Sequence, residues 1–578
     1  MKFLRNRGGE TAKLYGWLAF KRMNRFLVLR DAYGSVQIRI PDNREDLRSI
    51  AEKVCCESVL MVEGTVESRG LHANSNMATG AVELYCELGM KYRYLQLRRD
   101  EMQQSLRMRS AITQAMRDYF SKIGFVECLT SKTNIFNLCA YIDLLYSTSE
   151  VGIKQINSSQ VETPTLFRRT PGGAKEFIVP ACSPNNGKFY SLPQSPQQFK
   201  QLLMCSGLDR YYQIARCYRD ETSKSDRQLE FTQVDFELSF TTQEEIMALI
   251  EEMIVASWPE SLGKYCPKRP FKRLSYADAY NNFGTDKPDL RIPWKILKYS
   301  GDCNLLNIPI GSKDSCKFFI ARNCRKYVTK ENINELERIT GLNVLAAPYR
   351  IWISKINSQF EYFREHFRDE HITNNDAVIF AWGNDYEVLW TLGQLIRLLA
   401  NLCSLRAQQN FHFLWVTEFP LFQYNDEEKR YESVHHPFTA PISAHEKHIY
   451  NPEQWKSITA QHYDLVLNGV ELGGGSIRIH NSKMQKYVIE KILHESSEEL
   501  KHLIEALSFG APPHGGFALG LDRYIALLVG KGDPNKPIRD VIAFPKTKEG
   551  RDLMCESPTE VSEEVLKRYG ISVEELRN

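Results

Sequence analysis

The sequence predicts an α+β chain of several domains, opened by a small β-barrel. Three observations carry that expectation. The chain has 578 residues, more than one hydrophobic core ordinarily spans. Short β-prone runs bounded by turn residues crowd residues 11–85. From Lys91 the texture changes to an amphipathic helix followed by alternating strands and turns.

The elements follow in order. Leu14–Trp17, Phe26–Arg30 and Ser35–Ile40 read as strands. A helical stretch comes next at Asp46–Cys55, then strand-like runs at Ser58–Val66 and Ala81–Cys86. Strands, a helix and strands suggest a five-stranded OB barrel, with another small β-barrel as the alternative. Leu106–Ile123 spaces Ile112, Met116 and Tyr119–Phe120 along one helical side. Residues 186–240 alternate strands and turns, and 300–408 carry a separate strand and helix pattern. Phe411–Lys546 returns to strands with three glycine-rich patches.

Composition narrows the function classes. Charged residues at 25% and hydrophobic residues at 43% fit a folded globular chain, not a disordered one. A net charge of +3 means that any RNA-binding face is local. The 14 cysteines contain no CxxC pair, so reduced buried thiols are expected rather than a zinc site or disulfides. No run of about 18 apolar residues predicts a membrane span. The basic opening residues Lys2, Arg5 and Arg7 fit the tail of a transit peptide.

No GxxxxGK[ST] loop occurs, and no GxGxxG follows a strand. Phosphate must therefore be held by side chains, and arginine forks are the natural choice. Arg216–Glu221 followed by Asp226–Glu237 reads as strand, loop, strand, with Arg219 and Arg227 available to phosphates and Phe231 to a base. A salt-laced surface hairpin is the alternative. Gly510–Arg523 is glycine-rich and leads into a helix at Arg523, or is a plain strand-to-helix turn. Tyr463–Arg478 holds Asp464 and Glu471, oxygen donors suited to magnesium, and Arg478, suited to an anion. An extended strand there would put Asp464, Val466 and Asn468 on one face. His435–His436 lacks a third His or Cys at useful spacing, so substrate contact ranks above zinc.

Together these stretches resemble the three signature motifs of class II aminoacyl-tRNA synthetases. Ser191–Met204, Glu418–Pro420, His435–Pro441, Gly473–His480 and Gly284–Arg291 resemble blocks of the aspartyl-tRNA synthetase family, and Thr170–Phe177 resembles its mitochondrial branch. The resemblance implies a class II antiparallel sheet with flanking helices, an N-terminal OB barrel and an inserted α+β domain. It implies an OB anticodon-binding domain at 1–90 and a catalytic domain beginning at 91–293, with an atypical insertion at 128–160. An inserted domain at 294–408 and the second catalytic part at 409–578 follow. It further implies ATP-dependent charging of tRNA-Asp with L-aspartate, Mg²⁺ as cofactor and a homodimer joined near Pro164. The location implied is the mitochondrial matrix, otherwise the cytoplasm, with no membrane contact.

Residue roles carry over from the same matches. Arg219 and Arg523 are the catalytic phosphate holders. Asp220, Glu221, Gln228 and Phe231 join them in the ATP site, with Glu471, Gly520, Leu521 and Asp522. Lys200 and Arg478 face the aspartate side chain. Ser195, Gln197 and Asp235 face its amino end, with Arg219 and His435 close by. Asp464 and Glu471 hold Mg²⁺. Arg22, Phe26, Arg30, Gln37 and Glu83 face the anticodon. Leu229 and Lys224 depart from the usual proline and arginine without removing a phosphate ligand. An asparaginyl- or lysyl-type synthetase, or a non-catalytic RNA-binding relative, are the alternatives, against which stand Lys200 with Arg478 and the intact motif arginines. Residues 124–127 are expected to run with 161–166 as one strand. The segment splitting them is expected to be disordered, or a retained intron translated in frame, without catalytic role.

Overall fold

The structure is a computed structural model. It describes residues 11–22, 26–31, 34–40, 45–65, 93–129, 161–170, 175–221, 226–299, 314–327, 344–348, 373, 375–407 and 409–573. The chain divides into two compact units, residues 1–109 with 539–559 and residues 110–538 with 560–578. Residues 539–559, expected with the catalytic part, thus group with the N-terminal unit. Buried Arg93 supplies a reason: its guanidinium donates to the carbonyls of Arg539, Ile542 and Ala543 at 2.7–3.0 Å.

In the first unit, β1 (Thr11–Arg22), β2 (Phe26–Asp31), β3 (Gly34–Arg39), α1 (Glu45–Lys53) and β4 (Val59–Thr65) follow in order. The strands form an antiparallel sheet, β3-β2-β1-β4, and Leu18, Leu27, Ile40 and Ala51 form its core. The strand expected at Ala81–Cys86, with Glu83, lies outside the described residues. Register sets position 22 opposite 26, and 28 opposite 37. Cross-strand partners share a face, so positions 22, 26, 30 and 37 fall on one face of the sheet. Arg30 is not a free cation there: it pairs with Glu57 at 2.5 Å, and Glu57 also holds Arg98 at 2.7 Å.

α2 (Asp100–Lys122) buries Ile112, Met116 and Phe120, four residues apart and so on one stripe. Next come β5 (Val126–Leu129), β6 (Val161–Glu162) and the hairpin β7 (Ile178–Pro180) with β8 (Phe189–Ser191). α3 (Gln197–Cys205), β9 (Arg210–Tyr218), β10 (Glu230–Ser239) and α4 (Gln243–Ala256) follow. A capping box starts α4, Thr242 and Glu245 each accepting the other's backbone N–H. β11 (Lys272–Ser275) leads into α5 (Tyr276–Phe283).

The single strand expected across 124–166 is overturned. β5 and β6 lie side by side and parallel, Cys128 opposite Val161 and Leu129 opposite Glu162. Cys128 and Leu129 belong to the sheet rather than to an insertion, and 130–160 lie outside the described residues.

A separate four-stranded sheet holds β12 (Leu297–Lys298), β13 (Ser315–Ala321), β14 (Val344–Pro348) and β15 (Ala377–Gly383), in the order β12-β13-β15-β14. α6 (Asp385–Leu402) shares a core with it, Leu392, Leu395 and Leu399 clustering with Trp294, Phe319 and Ile379. The expectation of reduced thiols fails here: Cys324 and Cys403 are disulfide-bonded. Among the described cysteines, Cys128, Cys217 and Cys316 are buried as expected, whereas Cys55, Cys56, Cys182, Cys266 and Cys555 are exposed.

The large sheet is completed by β16 (Phe413–Thr417), the hairpin β17 (Phe422–Asn425) with β18 (Arg430–Ser433), which stands apart from it, then β19 (His462–Leu467) and β20 (Val470–Ile477). α7 (Lys501–Ser508), β21 (His514–Gly520) and α8 (Leu521–Val529) end the series. Its nine strands run β11-β16-β19-β20-β21-β10-β9-β5-β6. The six from β16 to β9 pair antiparallel throughout. The rings of Phe120, Phe125, Tyr212, Phe236 and Phe517 pack together beneath this sheet.

Candidate active site

A cavity of about 560 Å³ opens over β10, β19, β20 and β21. It gathers three sequence stretches far apart in the chain: 195–235, 434–478 and 518–538. Two glycines make room for its acids. Asp464 on β19 faces Gly474 on β20, where a Cβ would lie 2.4 Å from Asp464 Oδ1. Glu237 on β10 faces Gly516 on β21, where a Cβ would lie 2.0 Å from Glu237 Oε2. The glycine patches thus permit close approach, but to the protein's own carboxylates.

One end of the cavity is a buried charge network. Lys200 from α3 places its ammonium 3.1 Å from Asp235 Oδ2 and 3.0 Å from Glu237 Oε2. Arg478 donates through Nε to Glu237 Oε1 at 2.9 Å and also to Ser476 Oγ at 2.8 Å. Its Nη1 lies 2.5 Å from His436 Nε2. Glu237 thus binds both Lys200 and Arg478, the two cations expected to face the aspartate side chain. Burial raises the Glu237 carboxyl, but Arg478 and Lys200 outweigh it and bring it down to about 2. Burial pushes Asp235 up to about 6 despite Lys200. Asp235 Oδ1 is buried and has no hydrogen-bond partner among the described residues. Gln197 is oriented by a relay: its Nε2 donates to Gln201 Oε1, and Gln201 meets His514, whose other ring nitrogen meets Pro512 O.

The other end carries the arginines. Arg219 lies over the Phe231 ring at 5.1 Å, and its Nε has no hydrogen-bond partner among the described residues. Arg523 sits in the first turn of α8 and donates to the Glu471 carbonyl at 2.7 Å. Glu221 pairs with Arg227 at 3.3 Å. Gln228, Gly520 and Ser195 also line the cavity, whereas Asp220 and Leu521 do not. Asp522 lines it, but its carboxylate accepts the Thr232 N–H at 2.8 Å, which ties α8 to β10.

Between the two ends stand His435, His462, Asp464 and Glu471. Asp464 and Val466 share a face of β19 as expected, in unbroken register with Val416 and Leu414 of β16, whereas Asn468 lies in the turn beyond the strand. His462 Nε2 lies 2.8 Å from Asp464 Oδ1, and His435 Nε2 lies 3.9 Å from Oδ2. Burial above all holds both imidazoles neutral, down to about 3. This supplies the third nitrogen or oxygen donor that sequence spacing lacked for His435. The donor atoms of His435, His462 and Asp464 lie within 4.8 Å of one another. Yet the two rings stack face to face at 3.3 Å, so their in-plane lone pairs run parallel and do not converge on one ion.

Asp464 and Glu471 are the better cation pair. Burial and the Glu471 charge raise Asp464, and Lys287 and Arg523 hold Glu471 low against burial. Two carboxylates that oppose each other's ionisation suit a hard divalent cation.

Glu237, His462 and Lys287 were given no role by the sequence, whereas His436 was expected at a substrate contact and instead meets Arg478. Only Glu237 left a signal: it stands two residues after Asp235 on one strand, hence on the same face.

A family model described as tRNA synthetases class II (D, K and N) matches residues 86–134 and 153–548. The mitochondrial aspartate–tRNA ligases of Rattus norvegicus and Homo sapiens are 40% and 41% identical, each alignment covering 98% of this chain and 88% of the relative. The aspartate–tRNA(Asp/Asn) ligase of Symbiobacterium thermophilum is 36% identical, covering 97% of both chains. The solved asparaginyl-tRNA synthetase of Pyrococcus horikoshii, complexed with asparaginyl-adenylate, superposes with a TM-score of 0.54 at 16% identity. That match covers 94% of this chain and 96% of that one, and speaks to the fold alone.

Proposed function

This chain belongs to the class II tRNA synthetases, within the aspartate–tRNA ligases, and on that premise we propose how its residues divide the work. The reaction is ATP-dependent ligation of aspartate to tRNA. The observation that carries the residue assignment is the buried network of Lys200, Glu237 and Arg478, with the unpartnered Asp235 Oδ1 beside it.

Asp235 Oδ1 accepts the α-ammonium of L-aspartate, with Ser195 and the oriented Gln197 close by. Lys200 and Arg478 receive the side-chain carboxylate. Glu237 keeps both cations in place, and two of the three ammonium N–H directions of Lys200 are taken by Asp235 and Glu237. The substrate α-carboxylate attacks the α-phosphorus of ATP in line, forming aspartyl-adenylate as pyrophosphate leaves. Arg219 and Arg523 stabilise the charge that spreads over phosphate oxygens. The ribose hydroxyl at the tRNA 3′ end then attacks the adenylate carbonyl, and AMP leaves. Asp464 and Glu471 would hold Mg²⁺, which when bound neutralises triphosphate charge. ATP–pyrophosphate exchange measured across all amino acids tests the assignment. Aspartate alone should support it, and equal exchange with asparagine or lysine refutes the acid-specific pocket.

The pH dependence follows from Asp235. Its carboxyl, raised to about 6, must ionise to accept an ammonium. Aspartate affinity should therefore fall as pH drops through about 6, with a proton released on binding there. The stability sign is opposite: a raised acid stabilises the fold while protonated, and that contribution is lost as pH rises through about 6. Calorimetry in two buffers reads both affinity and protons, and an affinity flat across that range contradicts this role.

The first unit reads the anticodon through the sheet face carrying positions 22, 26, 30 and 37, and Glu83 is proposed alongside. Phe26 supplies a stacking ring, worth roughly 1–3 kcal/mol per base. Phe26→Ala should lower tRNA charging and spare exchange, and equal loss of both would make Phe26 structural. A homodimer is supported by β6 at the sheet edge with Pro164 and Leu166 exposed beyond it. Particle mass in solution reads two chains against one. No helix among the described residues is long and apolar enough to cross a membrane. The mitochondrial matrix is the proposed location, supported by the mitochondrial relatives.

A further inference from the structure

The block Gly284–Arg291 carries no role in the reaction above, yet it is anchored at both ends and sets Lys287 against Glu471. Gly284 closes α5 in the left-handed conformation and packs on α6, where a Cβ would lie 2.0 Å from the Leu389 carbonyl. Gly393 on α6 meets it in turn, a Cβ there lying 2.5 Å from the Gly284 carbonyl. Only glycine at both positions allows the approach. Downstream, buried Asp289 binds Arg291 at 2.7 Å and Arg406 at 3.0 Å. Arg291 also donates to the carbonyls of Arg406 and Gly532. Between these anchors the Lys287 N–H donates to Thr285 Oγ1.

The short stretch held this way presents one cation. Lys287 Nζ lies 3.2 Å from Glu471 Oε2 and 2.9 Å from Asp286 Oδ2. Glu471 in turn accepts Arg523 on its carbonyl, so the lysine stands one residue from the triphosphate clamp. An ammonium on a flexible stem is a point charge that can leave one oxygen for another at low cost.

We infer that Lys287 is a stand-in cation: without metal it holds the Glu471 carboxylate, and with metal and ATP bound it serves as a further positioning cation for the triphosphate. This rests on the reading of Glu471 as a metal-binding carboxylate. A divalent ion reaching Glu471 must displace the ammonium, which is then left beside the incoming phosphates. Removing the lysine should therefore act with opposite sign on metal alone and on metal with nucleotide.

Manganese binding to the full chain, without aspartate or tRNA, separates these effects when Mn²⁺ retained with the chain is measured by equilibrium dialysis, because Mn²⁺ bound only to ATP in solution passes the membrane. Lys287→Met should bind Mn²⁺ alone roughly five- to tenfold more tightly and Mn²⁺ with ATP more weakly by a similar factor. Lys287→Arg should restore much of the ATP-dependent binding. Lys287→Gln, which keeps a donor toward Asp286, is the second variant should the first fail to fold, with the same signs expected. Weaker binding in both conditions would make Lys287 merely structural, and unchanged binding with ATP would leave it a bystander, either result overturning the inference. If the wild-type chain binds no Mn²⁺ even with ATP, the metal reading of Glu471 itself fails and takes the inference with it.

Discussion

Arg219→Ala is expected to cut aspartate-dependent ATP–pyrophosphate exchange by roughly 10²–10³-fold, the scale seen when one preorganised donor to developing charge is removed. The backbone there is secured independently of the side chain, since the Arg219 N–H donates to the Leu229 carbonyl at 2.9 Å. The guanidinium lies over Phe231 with its Nε lacking a hydrogen-bond partner among the described residues. Such a group is held for a ligand rather than for the fold, so the melting temperature should change little. ATP and aspartate binding should survive better than turnover, because the charge it meets grows in the transition state. Full exchange activity in the variant would remove Arg219 from the mechanism.

Arg478→Leu should raise the aspartate KM by a hundredfold or more. Removing one partner of a buried ion pair costs about 3–5 kcal/mol, and about 1.4 kcal/mol is a factor of ten. ATP KM should stay near wild type, and an ATP effect without an aspartate effect would assign Arg478 to the nucleotide. A second readout follows from Glu237, whose carboxyl is brought to about 2 against burial chiefly by Arg478. A depressed acid stabilises the fold above its unfolded pKa, and the stability is lost as pH falls toward the folded value. Without Arg478 the Glu237 carboxyl rises and the gap between those two values closes. Less stability is then present at neutral pH and less is lost on acidification, which thermal melts across the acid range would show. The two readouts distinguish a substrate partner from a purely structural one: only the former moves aspartate KM at neutral pH.

The site was legible where its chemistry is local. Arginines in a chain without a phosphate loop pointed to phosphate held by side chains. The glycine patches announced tight backbone approach, and the turn into α8 placed Arg523 in the first helical turn. Each of these is decided within one or two helical turns or one strand, so the sequence alone suffices.

What it could not decide is which charges meet across the sheet. Glu237 and Arg478 are 241 positions apart and touch at 2.9 Å only because β10, β21 and β20 are neighbours. His462 reads as a strand residue until β19 sets it against Asp464 and His435, and Lys287 reads as a loop lysine until two glycines and a buried aspartate clamp fix its loop. The parallel pairing of β5 with β6 was likewise invisible, since continuity along the chain and adjacency in a sheet leave the same hydrophobic pattern. Local sequence therefore determined the elements, the phosphate-binding residue types and the family of this chain. The tertiary structure alone decided the partners of its buried charges, because a charge pair is set by strand order and register, and those are properties of the whole sheet.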